Sequence, residues 1–132
     1  MITELEIKTR ARTEMLDITD KVRKIVKDSG IKEGICYLYV PHTTAGITIN
    51  EDADPDVARD ILHTLEEMIP YEGNYRHSEG NAAAHIKTSL IGSSKYIPIK
   101  DREMVLGKWQ GIFFCEFDGP RSRKLILKLT EG

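Results

Sequence analysis

Cysteine is scarce in this chain. Its two cysteines, Cys36 and Cys115, sit inside apolar runs, and no Cys-x-x-Cys occurs. That argues against a thiolate metal knuckle or a thioredoxin-type motif, and leaves buried, reduced thiols acting as small hydrophobes. No apolar run approaches the roughly 20 residues that span a bilayer. The start, Met1-Ile2-Thr3-Glu4-Leu5-Glu6, has neither the charged nor the apolar region of a signal peptide. These absences point to the cytoplasm, with no membrane partner. A formal net charge of −2 supplies no overall pull toward nucleic acid. The basic set Lys21, Arg23, Lys24 and Lys27 has no interleaved aromatics and reads as a solvated helix face, so no nucleic-acid partner is expected. A serine elbow, a Gly-x-Gly-x-x-Gly turn and a Walker lysine loop are all missing, so classical serine-hydrolase, dinucleotide and P-loop chemistries have no support.

What is present fits one globular domain over residues 1–132: 40% hydrophobic and 30% charged residues are enough to bury a core. Residues 2–9 alternate as a strand, with Thr13 to Ile18 as its expected hairpin partner. Thr19 is placed to cap a helix with the apolar stripe Val22, Ile25, Val26, stopped by Ser29-Gly30. Gly34 to Val40 reads as a central strand, and Gly46 to Asn50 resumes the alternation after a turn at His42. Asp54, with Pro55 behind it, starts a second helix whose stripe is Val57, Ile61, Leu65 and Met68; His63 falls off the stripe and reads as exposed. Residues 71–80 form a polar, aromatic loop. Asn81 then caps a third helix from Ala82 to about Ile91, whose alanine-rich first turn leaves its N–H groups open to an anion. Strands around Tyr96–Ile99, Met104–Leu106, Gln110–Phe117 and Leu125–Leu129 close the chain as a meander, with Trp109 expected in the core. The class is α+β with mostly antiparallel strands.

Chemistry concentrates in His42-Thr43-Thr44 through Asp56, where a histidine, hydroxyls, an amide and carboxylates follow a buried strand. His42, His77 and His85 occupy polar, turn-rich or helix-start positions, and Glu79 can complete a site for a divalent metal. No specific zinc spacing is present. Gln110, Glu116, Asp118, Arg121 and Arg123 flank one strand and turn. The arginines suit bidentate recognition of phosphate, while Glu116 and Asp118 can equally pair with them across the turn.

Several blocks carry a resemblance. His42-Thr-Thr-Ala-Gly-Ile-Thr-Ile-Asn-Glu-Asp-Ala-Asp-Pro55, Tyr75-Arg-His-x-Glu-Gly80, His85-Ile-Lys87, Leu106-Gly-x-Trp-Gln-Gly-Ile112 and Glu116-Phe-Asp-Gly-Pro-Arg-x-Arg123 resemble the YjbQ-like family across nearly the whole chain. One block departs. Where the family usually carries further acids before its second histidine, this chain has Asn81-Ala82-Ala83-Ala84, leaving Glu79 as the local carboxylate. The resemblance implies two packed sheets with flanking helices, a homotrimer and a thiamine-phosphate-synthase type of activity. In that activity a hydroxymethylpyrimidine diphosphate joins a thiazole phosphate and releases pyrophosphate. On that reading His42, Asn50, Glu51 and Gln110 are the catalytic candidates, with Asn50 and Gln110 orienting the heterocycle. Thr43, Thr44, Asn81, Arg121 and Arg123 hold the small phosphorylated substrate. His42, His77, Glu79 and His85 hold magnesium or zinc. A different metal-dependent hydrolase and a non-catalytic anion-binding module are the alternatives.

Overall fold

Alternation of apolar and polar side chains sorts the strands into two antiparallel sheets, each of which must bury one face. The computed structural model describes residues 1–132. In chain order the elements are β1 (Ile2–Lys8), β2 (Glu14–Asp17), α1 (Thr19–Ser29), β3 (Glu33–Tyr39), β4 (Ala45–Glu51), α2 (Pro55–Met68), α3 (Ala82–Ile91), β5 (Ser94–Lys100), β6 (Glu103–Met104), β7 (Gln110–Glu116) and β8 (Ser122–Glu131). One sheet has the order β1-β8-β3-β5-β6 and the other β2-β7-β4. The α+β expectation therefore holds, with three helices and two antiparallel sheets.

The core lies between the sheets. Ile7, Cys36, Leu38, Ile97, Leu125, Leu127 and Leu129 of the larger sheet meet Ala45, Ile47, Ile112 and Phe114 of the smaller one, with Val22 and Val26 of α1 joining them. The opposite face of the smaller sheet, Phe113, Cys115 and Phe117, is covered by Ala84 of α3 and by Ala58, Leu62 and Leu65 of α2. The outer face of the five-stranded sheet carries no helix, and Tyr37, Tyr39 and Tyr96 stand out from it. Both cysteines are free and buried, and burial pushes each thiol up to about 12, so neither is a nucleophile at neutral pH. No helix is long and apolar enough to cross a membrane.

Several local expectations hold for the anticipated reasons. Asp54 accepts from the Asp56 N–H at 2.9 Å with Pro55 at the first helical position, and Gly30 closes α1 in the left-handed region at φ 73°. β3 is the middle strand of the larger sheet. Others are corrected. The segment after β1 pairs with β7, not with β1, and β1 pairs with β8 instead. The last strands are no meander, because β7 and β8 lie in different sheets. Thr19 begins α1 without capping it: its hydroxyl donates to Asp17 and accepts from the Ile112 N–H. Asn81 likewise makes no side-chain cap on α3. Trp109 is 55% exposed, outside the core, and so is Met68 at the end of the α2 stripe.

Candidate functional site

Strand register gathers three chain reversals at one end of the sandwich. Glu116, the last residue of β7, lies opposite both Ala45 and Glu14, while Lys8 at the end of β1 lies opposite Ser122. The loops after β1, β3 and β7 therefore converge. A carboxylate buried at that convergence needs a full set of donors. Glu116, fully buried, accepts from Arg123 Nε at 2.8 Å and from Arg123 Nη2, from the Thr9 hydroxyl at 2.7 Å, and from the Asp118 N–H at 2.9 Å. Burial alone would raise its pKa, but the Arg123 guanidinium, the Asp118 N–H and the Thr9 hydroxyl outweigh it and hold the carboxyl below its usual range. Arg123 Nη2 also donates to Thr44 Oγ1 at 2.8 Å. Arg123 is thus a framework cation, already saturated at Nε and Nη2, and only its Nη1 is left for an anion. Thr44 is buried in the same network, whereas Thr43 is exposed at the groove.

His42 stands in front of this pair. Its Nε2 accepts from the Lys124 N–H at 2.9 Å, which assigns the remaining proton to Nδ1. Burial first, then the positive charges of Arg123 and Lys124, lower its pKa, with Glu116 opposing. At neutral pH His42 is a neutral hydrogen-bond donor. Its one lone pair, on Nε2, is taken by the Lys124 N–H, so in this form it has none to offer a metal or a proton, and Nδ1–H is left free to donate.

Two grooves meet at His42. One of about 450 Å³ is lined by Tyr39, Pro41, His42, Thr43 and Arg123; the other, about 340 Å³, runs along Glu4, Leu5, Glu6, Ser122, Lys124 and the same His42 and Arg123. On the turn that follows β7, Asp118 ties two expected phosphate ligands together. It accepts from Asn81 Nδ2 at 2.9 Å and from Arg121 Nη2 at 3.0 Å. The carboxamide oxygen of Asn81, Oδ1, is buried without a partner.

The four expected metal ligands do not share a site within one chain. His77 and His85 meet edge-to-face with ring centroids 5.2 Å apart, and Glu79 lies 3.7 Å from His77 Nε2. His42 lines separate grooves, and no group of three or more His, Cys, Asp or Glu side chains is placed to hold one ion. The expected catalytic set is divided as well. In the β4–β7 pairing Asn50 and Glu51 lie opposite Gly111 and Gln110, at the far end of strands whose near end is Ala45–Glu116. Six residue steps at roughly 3.3 Å separate those ends by about 20 Å. There Asn50 Oδ1 accepts from the Glu51 N–H and Gln110 Oε1 from the Gly107 N–H.

Two features escaped the sequence. Asp52 packs its carboxylate across Gly111, where a Cβ would sit 2.2 Å from Oδ2, and pairs with Asp17. Desolvation first, then the bond to and repulsion from Asp17, raise the Asp52 pKa. Nothing local connects positions 17 and 52, because only β7 brings their strands together. The tyrosines were visible as alternate residues, but which face of the sheet stays open is a tertiary fact.

A family model described as "UPF0047 protein YjbQ-like" matches residues 3–132. The UPF0047 protein YugU of Bacillus subtilis is 50% identical over 130 residues, covering 98% of both chains. A UPF0047 protein of Methanocaldococcus jannaschii is 53% identical over 129 residues, covering 98% of this chain and 94% of its own. Among solved structures, an uncharacterized YjbQ/UPF0047 protein of Clostridium acetobutylicum superposes with a TM-score of 0.95 at 52% identity, over 97% of this chain and 99% of its own. A YbjQ-like protein of unknown function from Sulfolobus solfataricus also reaches 0.95, at 34% identity over 100% and 97%.

Proposed function

The chain belongs to the YjbQ-like UPF0047 family over residues 3–132, and from that premise we propose that it is a transferase of the thiamine-phosphate-synthase type, working at the His42 end of the sandwich. In this reaction the C–O bond of the pyrimidine-methyl diphosphate breaks and pyrophosphate leaves with the electron pair. The ring nitrogen of the thiazole phosphate then supplies its lone pair for the new C–N bond. The demand on the protein is to hold negative charge as it grows on the leaving group, in a site organised beforehand.

One observation carries the reading. His42, with its Nδ1–H free to donate, and the buried Arg123 line one groove, and two residues before Arg123 on the same turn stands Arg121, held by Asp118, which also binds Asn81. A neutral imidazole donor suits a departing oxyanion, as in enzymes that keep such a histidine uncharged. Because His42 offers no free lone pair, water activation by this residue has no support, which weighs against the hydrolytic alternative. The ligand set within one chain does not fit a resident divalent metal; the ion this chemistry uses is assigned instead to the diphosphate substrate.

The same proposal includes a homotrimer. Ile86 and Leu90 of α3 and Met68 of α2 are exposed on the helical layer, which leaves apolar surface for a neighbouring copy.

Purified protein incubated with both precursors and magnesium is expected to yield thiamine phosphate, and Arg121→Ala to lower the yield about tenfold or more. Product no higher than in that variant, with pyrophosphate still binding, would replace the transferase reading with a non-catalytic anion-binding module.

A further inference from the structure

We infer that Tyr37, Tyr39 and Tyr96 form a stacking subsite for the pyrimidine ring of the substrate, an inference that rests on the transferase reading above. Tyr37 and Tyr96 are directly opposed across the β3–β5 pair, and Tyr39 lies two residues further along β3 on the same outward face. They bound a cavity of about 640 Å³ with Ser94 and Lys95, within the roughly 300–1,000 Å³ range of small-molecule sites. Tyr39 also lines the groove of His42, Thr43 and Arg123, so one side chain borders both spaces.

The tyrosines are not consumed by the fold. They are 42%, 50% and 65% exposed, and none of their hydroxyls makes a hydrogen bond within the chain, whereas Tyr75 gives its own to Pro70 at 2.6 Å. The Tyr37 and Tyr96 rings stand 6.4 Å apart and tilted by 47°, a loose aromatic pair on a face that stays exposed. Such ring faces are electron-rich and attract a ring that is gaining positive charge. A pyrimidine-methyl group does so as its C–O bond breaks, while the departing diphosphate lies toward the donors at His42. This division of labour also supplies the heterocycle contact that Asn50 and Gln110 cannot provide in the same chain, about 20 Å away along β4.

The test is calorimetric titration with two probes, the hydroxymethylpyrimidine alcohol and inorganic pyrophosphate. The proteins are the parent, Tyr37→Ala, Tyr96→Ala and Tyr96→Phe, each checked for its melting temperature and its mass by sedimentation. Each alanine variant is expected to weaken the pyrimidine about tenfold, the usual cost of a lost stacking ring, while leaving pyrophosphate unchanged. Tyr96→Phe, which keeps the ring, is expected to remain within about twofold of the parent. Equal pyrimidine affinity in parent and alanine variants overturns the inference. So does a fall in mass with binding unchanged, which would make this face a contact between copies. A parent that binds pyrophosphate but no pyrimidine overturns it too. Tyrosine-dependent pyrimidine binding without thiamine phosphate formation would uphold the subsite and defeat the transferase reading.

Discussion

Glu116→Gln keeps the shape of a buried side chain and removes its charge, which makes it a sharp probe of the network behind His42. In the parent the carboxylate has four donors, and the guanidinium of Arg123 has no other anion. Removing one partner of a buried pair typically costs about 3–5 kcal/mol, because the other charge remains desolvated and uncompensated. For 132 residues the unfolding entropy is about 0.28 kcal/mol/K, from roughly 2.1 cal/mol/K per residue, so the melting temperature should fall by about 11–18 °C. Replacing both partners, as in Glu116→Leu with Arg123→Met, should recover much of that loss, with a remainder from the stranded Thr9, Thr44 and Asp118 groups. Because the folded carboxyl titrates below its unfolded value, its stabilising contribution is complete above pH 4.5. It disappears as pH falls through the folded pKa, and the parent but not Glu116→Gln should show that acid-side decline. Thermal unfolding followed by circular dichroism measures all of this. A single variant that melts within about 3 °C of the parent at pH 7 would refute the argument.

Three further outcomes follow from the same structure. His42 has a folded pKa below its usual 6.5, so its favourable contribution is present above that value and is lost as pH falls through 6.5 toward the folded pKa; His42→Asn should flatten this part of the stability profile measured by thermal melts. Asp52 has a raised folded pKa, so its contribution is present below its usual 3.8 and lost as pH rises through the folded value. Asp52→Asn should therefore raise the melting temperature at pH 7, and no rise would show that the contact with Asp17 is solvated away. Gly34→Ala would place a Cβ 1.8 Å from the Thr130 carbonyl oxygen, inside the β3–β8 ladder, so it should lower the melting temperature by about 10 °C or more; a melt within a degree or two of the parent would contradict that packing.

Most of the elements were legible because their signals are local. Alternation marked β1 and β4, continuous apolar runs marked β3 and β7, and Asp54-Pro55 and Gly30 marked helix ends by backbone chemistry. His63 was expected on the solvent side and is there, 2.7 Å from Glu67. Pairing was less legible. Residues 14–17 carry an amphipathic pattern that fits any sheet edge, and burial against β7 decided their partner. The charge pairing of Glu116 with Arg123 and of Asp118 with Arg121 followed from adjacency at one turn. The polar run from His42 to Asp56 looked like one site because it is continuous in sequence. An extended strand carries its two ends about 20 Å apart, so only the His42 end joins the arginines. Trp109 was misplaced because hydrophobicity alone cannot tell a core residue from a surface one beside Lys108, whose amine lies 4.9 Å from the ring centroid.

The claim that anion chemistry belongs to the His42 end is tested most directly by titrating pyrophosphate into isotope-labelled protein and following backbone amide shifts. Residues 42–44, 81–82 and 118–124 should move together and saturate with one dissociation constant. Movement centred instead on Asn50, Glu51 and Gln110, or no saturable movement at all, would contradict the account.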